Sequence, residues 1–301
     1  MNILITGASG YIGLQLSAFL QKSGHAIFGI DLEPPENSEY FEKFFVGDIG
    51  NSKFISKHLR DLFIDTVILC THHNTENPLH SYNNDITAFS FFLKTTLEHN
   101  IKNYIYLSSD EVYGSATTFP IYDHTMCNPI TPIGVSKFAA ENLLKFLVES
   151  HNIKACILRL FTVVGSVLNY NSSKNNILSQ AILHEKFETK SADTLDGTPE
   201  RDFIYISDVL YAISKVIICW NSLENFNILN VSSGTCLSYS DLKTKIETQI
   251  GKTINLQRSN YEKIKKSYGD SQFTRMTLDW RLQYPDINSM ITAEINHGNI
   301  L

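Results

Sequence analysis

The stretch Ile3-Leu4-Ile5-Thr6-Gly7-Ala8-Ser9-Gly10-Tyr11-Ile12-Gly13 decides how the rest of the chain reads. Its continuous apolar run predicts a strand covered on both faces. Leu16, Phe19 and Leu20 follow at i, i+3, i+4 spacing, which predicts a helix directly after it. Between strand and helix stand three glycines in the order G-x-x-G-x-x-G. Gly7 permits a tight turn, Gly10 lets backbone approach a pyrophosphate, and Gly13 lets the helix pack closely. The helix N-terminus then offers unpaired N–H groups and a positive dipole end to phosphate. The competing reading is a tight strand–helix turn that binds nothing.

Outward from this loop, the next apolar run, Ala26 to Ile30, ends on Asp31. A carboxylate at that place accepts hydrogen bonds from the adenosine ribose hydroxyls and repels a 2′-phosphate. No Arg or Lys stands in Ala8-Ser9 or directly after Asp31, so NAD is favoured over NADP. Asp48-Ile49, after a third run at Phe44-Phe45-Val46, suits a contact to adenine, with a bland loop as the alternative.

The alternation continues. Val67 to Cys70, Tyr104 to Leu107 and Cys156 to Leu158 read as strands, and the segments around Phe91 to Leu97 and Gly134 to Ser150 read as helices. Strands and helices alternating at this spacing predict an α/β fold, a Rossmann-type doubly wound parallel sheet that binds ligands along the carboxyl ends of its strands. We expect a dinucleotide-binding domain over 1–165, with strand contributions from about 202–232. A smaller substrate-binding lobe is expected over 166–301. Asn169 to Asn176 and Asp193 to Glu200 read as loops.

Composition narrows the partners. The 301 residues carry 25 Lys+Arg against 31 Asp+Glu, a net charge of −6. Broad binding to a nucleic-acid backbone needs clustered cations, so no nucleic-acid partner is expected. No run approaches the ~20 apolar residues of a membrane span. Five widely spaced cysteines without a C-x-x-C pair suit neither a disulfide framework nor a zinc site, and fit a reducing cytoplasm. His72, His73 and His80 read as part of a polar loop, and no metal site is expected.

Leu107-Ser108-Ser109-Asp110-Glu111-Val112-Tyr113-Gly114 stands at the ligand edge, where two acids beside two hydroxyls can supply general acid and base groups. Together, TGASGYIG, SSDEVYG, TPIGVSKFAAENLL, RLFTVVG and RDFIYISDV resemble the motifs of the extended short-chain dehydrogenase/reductase family. The specific likeness is to NAD-dependent nucleotide-sugar epimerases and dehydratases of the UDP-glucose 4-epimerase type. It covers most of the chain, and the Asp-Glu pair most resembles the 4,6-dehydratase version. Asp270 and Trp280 fall where the family's C-terminal lobe often shows an Asp and a Gly-Trp.

The resemblance implies NAD held by Gly7, Gly10, Tyr11, Ile12, Gly13, Asp31, Asp48, Ile49, Thr71, Lys137 and Phe161. It implies redox chemistry at C4 of a UDP- or dTDP-hexose. Ser109, Asp110, Glu111 and Lys137 would be the catalytic residues, and Ser109, Thr162 and Arg201 would hold the substrate. In a dehydratase, Asp110 would protonate the departing C6 hydroxyl and Glu111 would take the C5 proton. A homodimer through two helices of each subunit is also implied.

One departure matters. Ile133 stands four residues before Lys137, where the family carries its catalytic Tyr. Isoleucine cannot accept a proton, and losing a general base costs about 10²–10⁴-fold in rate. Asp85, Thr162 and Cys70-Thr71-His72 depart from the family pattern as well. Three readings follow. Another group takes over, among Tyr113, Tyr122, Asp110 and Glu111. The chain binds NAD and nucleotide sugar with little or no turnover. Or an isolated substitution marks an otherwise ordinary enzyme.

Overall fold

A computed structural model of the chain describes residues 1–71, 78–166, 177–184, 186–189, 199–258 and 264–298. They group into two compact units, each discontinuous in sequence. The first comprises Met1–Val112, Thr131–Leu158 and Val216–Ile228. The second comprises Tyr113–Ile130, Arg159–Lys215 and Leu229–Leu301.

The first unit is built on β1 (Asn2–Thr6), α1 (Tyr11–Lys22), β2 (Ala26–Asp31), β3 (Lys43–Val46), α2 (Ser52–Leu59), β4 (Thr66–Leu69), α3 (Pro78–Glu98), β5 (Asn103–Ser109), α4 (Pro132–His151) and β6 (Lys154–Leu160). All six apolar runs become strands; five are largely buried, while β3 is the half-exposed edge of the sheet. Ile3, Leu4, Ile5, Ile68 and Ile105 are fully enclosed. The sheet order is Phe226–Val231, β6, β5, β4, β1, β2, β3. β1 pairs in parallel with both β2 and β4, and the order reverses there. That is the doubly wound arrangement, and its switch point lies beside the glycine loop.

Two local signals fix α4. Thr131 is its N-cap, accepting the Gly134 N–H on Oγ1, and Pro132 fills the first helical position. Asn152 ends the helix in the left-handed region.

The second unit carries short sheets instead. Phe203–Tyr205 pairs in parallel with Thr162–Val164. The strand contribution to the main sheet expected from about 202–232 therefore comes from Phe226–Val231 alone. Most of the apolar Val209-to-Trp220 segment lies in a core helix, Ile206–Ile218, which buries Val209, Leu210 and Ile213.

Buried polar hubs hold this unit together. Glu294 accepts the Ser166 N–H, the Tyr205 hydroxyl and the Ser179 hydroxyl. Asp208 accepts the Gln283 and Tyr284 N–H groups, and its carbonyl accepts the Trp280 indole N–H. Burial pushes the Asp208 carboxyl up to about 6. Among the described residues, no helix is long and apolar enough to cross a membrane.

Candidate active site

The glycine loop has the geometry its sequence demands. Gly7 takes φ +67°, and a Cβ there would stand 2.9 Å from the Cys70 carbonyl carbon and the Thr71 nitrogen. Only glycine passes so close to the end of β4 in that conformation. The Gly10 N–H donates to the Gly7 carbonyl at 3.1 Å, and Leu14 N–H closes the first helical turn onto Gly10 O at 3.0 Å. α1 begins with no side-chain cap and no acid in its first turn, which contains half-buried Tyr11 and Ile12. An uncapped, acid-free first turn behind a glycine cradle suits an anion.

Asp31 Oδ2 accepts the Ser9 N–H at 2.9 Å, and Oδ1 accepts the Leu32 N–H at 2.7 Å. The carboxylate is thus fixed at the carboxyl end of β2, beside the loop. A cradle that any Cβ would fill, next to an anchored carboxylate, fits a pyrophosphate followed by a ribose diol. NAD therefore fits the residues present.

A cavity in the same unit is lined by Ile49, Thr71, Phe89, Tyr106, Ser136 and Lys137, among others. Three of these, Ile49, Thr71 and Lys137, were placed on the cofactor from sequence. Lys137 is buried, and its Nζ donates to Leu107 O at 2.8 Å and Thr71 O at 3.2 Å. The ammonium lies 4.8 Å from the Tyr106 ring centroid. Asp48 Oδ1 accepts the Gly50 N–H at 2.7 Å, shaping the turn that presents Ile49. Phe89, Tyr106 and Ser136 are cavity residues that sequence reasoning did not single out.

Ser109 ends β5, and Asp110–Tyr113 coil into a short 3-10 turn. The Ser109 hydroxyl donates to Asp110 Oδ1 at 3.3 Å and accepts the Glu111 N–H at 3.2 Å. Glu111 Oε2 accepts the Thr131 hydroxyl, the N-cap of α4. Ile133 lies in the first turn of that helix. The turn after β5 and the start of α4 are thereby brought together. Thr131 was missed from sequence, although Thr-Pro ahead of a helical pattern is an N-cap signal.

The second unit holds the remaining predicted residues. Phe161 is buried with its ring against Gly269, whose Cβ would stand 2.3 Å from the ring. The Thr162 N–H donates to Asp202 O at 3.0 Å. Arg201 is also buried, and its guanidinium donates to the carbonyls of Glu200 and Ile264. Asp202 accepts Ser233 N–H and Oγ–H, Gly234 N–H and Gly269 N–H, yet enclosure pushes its carboxyl up to about 7. Asp270 Oδ1 accepts the Gln272 N–H, and Trp280 is enclosed.

Tyr113 is corrected as a substitute base. Its hydroxyl is buried, donates to Asn230 Oδ1 at 2.6 Å, and burial drives its pKa far above the ordinary phenol value. Arg159 stacks 4.7 Å from its ring centroid. Tyr122 is 43% exposed and stacks on His124. All five cysteines are free, and burial pushes the Cys70 and Cys156 thiols up to about 12, away from the thiolate form. His72, His73 and the side chain of His80 lie outside the described residues. Among those described, no three His, Cys, Asp or Glu residues gather to hold a metal.

A doubly wound sheet with a glycine cradle and an anchored acid at its switch point defines a dinucleotide-binding protein of the Rossmann class. Residues 3–232 match the model of the NAD dependent epimerase/dehydratase family, and the chain belongs to that family. It is 27% identical to UDP-glucose 4-epimerase from Lactobacillus helveticus, covering 97% of this chain and 96% of the relative. It is 26% identical to probable UDP-arabinose 4-epimerase 3 from Oryza sativa subsp. japonica, covering 97% and 80%. Among solved structures, UDP-glucose 4-epimerase from Bifidobacterium longum, in complex with NAD+ and UDP, superposes with a TM-score of 0.84. That alignment is at 21% identity and covers 100% of this chain and 98% of the other.

Proposed function

We propose that the chain is an NAD-dependent enzyme acting at C4 of a nucleotide-linked hexose, of the 4-epimerase or 4,6-dehydratase type. The observation that carries this is the glycine cradle with Asp31 anchored to Ser9, in a chain of this family. Gly7, Gly10, Tyr11, Ile12 and Gly13 would hold the pyrophosphate and Asp31 the adenosine ribose. Asp48, Ile49, Thr71, Lys137 and Phe161 are the further proposed cofactor residues. When bound, NAD supplies a hydride acceptor and donor.

The protein's own residues do the rest. Lys137 places a buried positive charge at the ends of β4 and β5, where it orients a ribose and favours developing negative charge. Ser109 hydrogen-bonds the sugar near its reacting carbon. Asp110 and Glu111 supply the carboxyl groups that move protons. In the second unit, Thr162 and Arg201 are the proposed substrate-binding residues. The names of the relatives support a UDP-linked sugar and the 4-epimerase type.

The protein is further proposed to be a cytoplasmic homodimer. Five free cysteines support the compartment. Val135 and Phe146 are exposed and lie on one face of α4, three turns apart, while Phe91 is exposed on α3, which packs against α4. Mass spectrometry of small molecules released from the purified protein tests the reading. NAD is expected, and release of NADP alone or of no dinucleotide after saturation with NAD overturns it.

A further inference from the structure

Ile133 leaves the first turn of α4 without a proton acceptor of its own, but a carboxylate is tied to that same turn from another element. Thr131 Oγ1 accepts the Gly134 N–H at 3.0 Å, so its single proton is directed at Glu111 Oε2. Glu111 is joined through this hydroxyl to the N-terminus of α4, whose dipole favours negative charge. At its other end the Glu111 main chain is pinned by Ser109, the hydroxyl at the end of β5. Ser109, Glu111 and Thr131 thus form one connected set two residues from Ile133.

We infer that Glu111 is the base that takes the C4 hydroxyl proton in this protein, and that Thr131 is the positioning residue that holds it there. The inference rests on the proposed C4 chemistry and deepens it. Glu111 would take the C4 hydroxyl proton on a carboxylate oxygen, and NAD, when bound, would supply the acceptor for the C4 hydride. Loss of one proton and one hydride turns the alcohol into a neutral ketone. Return of hydride to the opposite face, with the proton returned from Glu111 to O4, gives the epimer with no net redox change. A carboxylate engaged at O4 is not at C5. With Glu111 assigned to O4, the inference expects epimerisation, although the Ser-Asp-Glu sequence resembles the dehydratase version.

The test uses the NAD-loaded protein with UDP-glucose, and the apoprotein for titration. Glu111→Gln is expected to lower kcat by about 10²-fold or more while NAD and UDP-glucose binding by calorimetry stay within a few-fold. Thr131→Val removes the donor and should move the acid limb of the kcat/KM profile to higher pH; Thr131→Ser should restore it. Thr131→Asp keeps a helix-capping oxygen but sets a second carboxylate beside Glu111, so it should move the limb further in the same direction. In 13C-Glu-labelled apoprotein, the carboxyl signal that disappears in Glu111→Gln should titrate at higher pH in Thr131→Val and Thr131→Asp than in wild type. In deuterated water the product should carry no deuterium at C5.

Turnover in Glu111→Gln above a tenth of wild type, an unmoved titration in both Thr131 variants, or deuterium at C5 overturns the inference while leaving the C4 chemistry standing. A wild-type protein that binds NAD yet never converts UDP-glucose overturns both.

Discussion

Gly13 approaches Gly7 so closely that a Cβ on Gly13 would stand 2.1 Å from the Gly7 carbonyl oxygen. The obstacle is backbone, which cannot rotate away as a side chain can. Gly13→Ala must therefore push the start of α1 off the loop that it caps. We expect a loss of about 1–3 kcal/mol in unfolding free energy and NAD binding weakened at least tenfold. Denaturant unfolding and calorimetric titration with NAD check the two separately.

Asp31 holds the other half of the cradle, with one oxygen on the Ser9 N–H and the other on the Leu32 N–H. Asp31→Ala removes both anchors and the acceptor for a ribose diol. A hydrogen bond to a charged group contributes ~1.5–3 kcal/mol, so NAD affinity should fall by about tenfold or more. NADP affinity should fall less, because the repulsion of a 2′-phosphate disappears with the carboxylate. Titrating the wild type and Asp31→Ala with both dinucleotides measures the change in the NAD:NADP ratio. An unchanged ratio contradicts the role given to Asp31.

The stability of the second unit should depend on pH through Asp202. Burial outweighs its four hydrogen bonds and raises its folded carboxyl to about 7, against an unfolded value of about 3.9. The folded state thus binds the proton more tightly. The stabilisation is complete below about pH 4 and is lost as pH rises through about 7. Asp208, raised to about 6, acts in the same direction over a narrower range. Thermal unfolding across pH 5–8 should show a weaker downward slope for Asp202→Ser than for wild type, the remainder belonging to Asp208.

Phe146 is 60% exposed on the α4 face that also presents Val135. A charge there opposes burial in an interface, while the fold, which leaves the side chain in water, should tolerate it. Phe146→Glu should shift the sedimentation profile from dimer to monomer with the unfolding midpoint of the monomer little changed. A wild-type protein that sediments as a monomer contradicts the homodimer.

Much of the first unit was legible because its signals are local. Ile3-Leu4-Ile5 and Val67 to Leu69 are strands buried on both faces, so their apolar runs need no tertiary information. The glycine spacing likewise reports a backbone constraint that reads directly from residue type. Arg201 illustrates what is not local. Its motif gives no sign that the guanidinium also donates to the carbonyls of Glu200 and Ile264, the latter 63 residues away. Tyr113 was plausible as a base until its hydroxyl was found bonded to Asn230, 117 residues on. The Glu111–Thr131 bond joins two elements separated by 20 residues, and neither residue alone announces it. Burial and long-range pairing decide such roles, and neither is written in spacing.

The most direct measurement is proton NMR of the anomeric signals after UDP-glucose is incubated with the NAD-loaded protein. Growth of the UDP-galactose signal to a fixed ratio, reached from either sugar and without external NAD being consumed, is the expected result. A protein that holds NAD and leaves both nucleotide sugars unchanged contradicts enzymatic chemistry at C4.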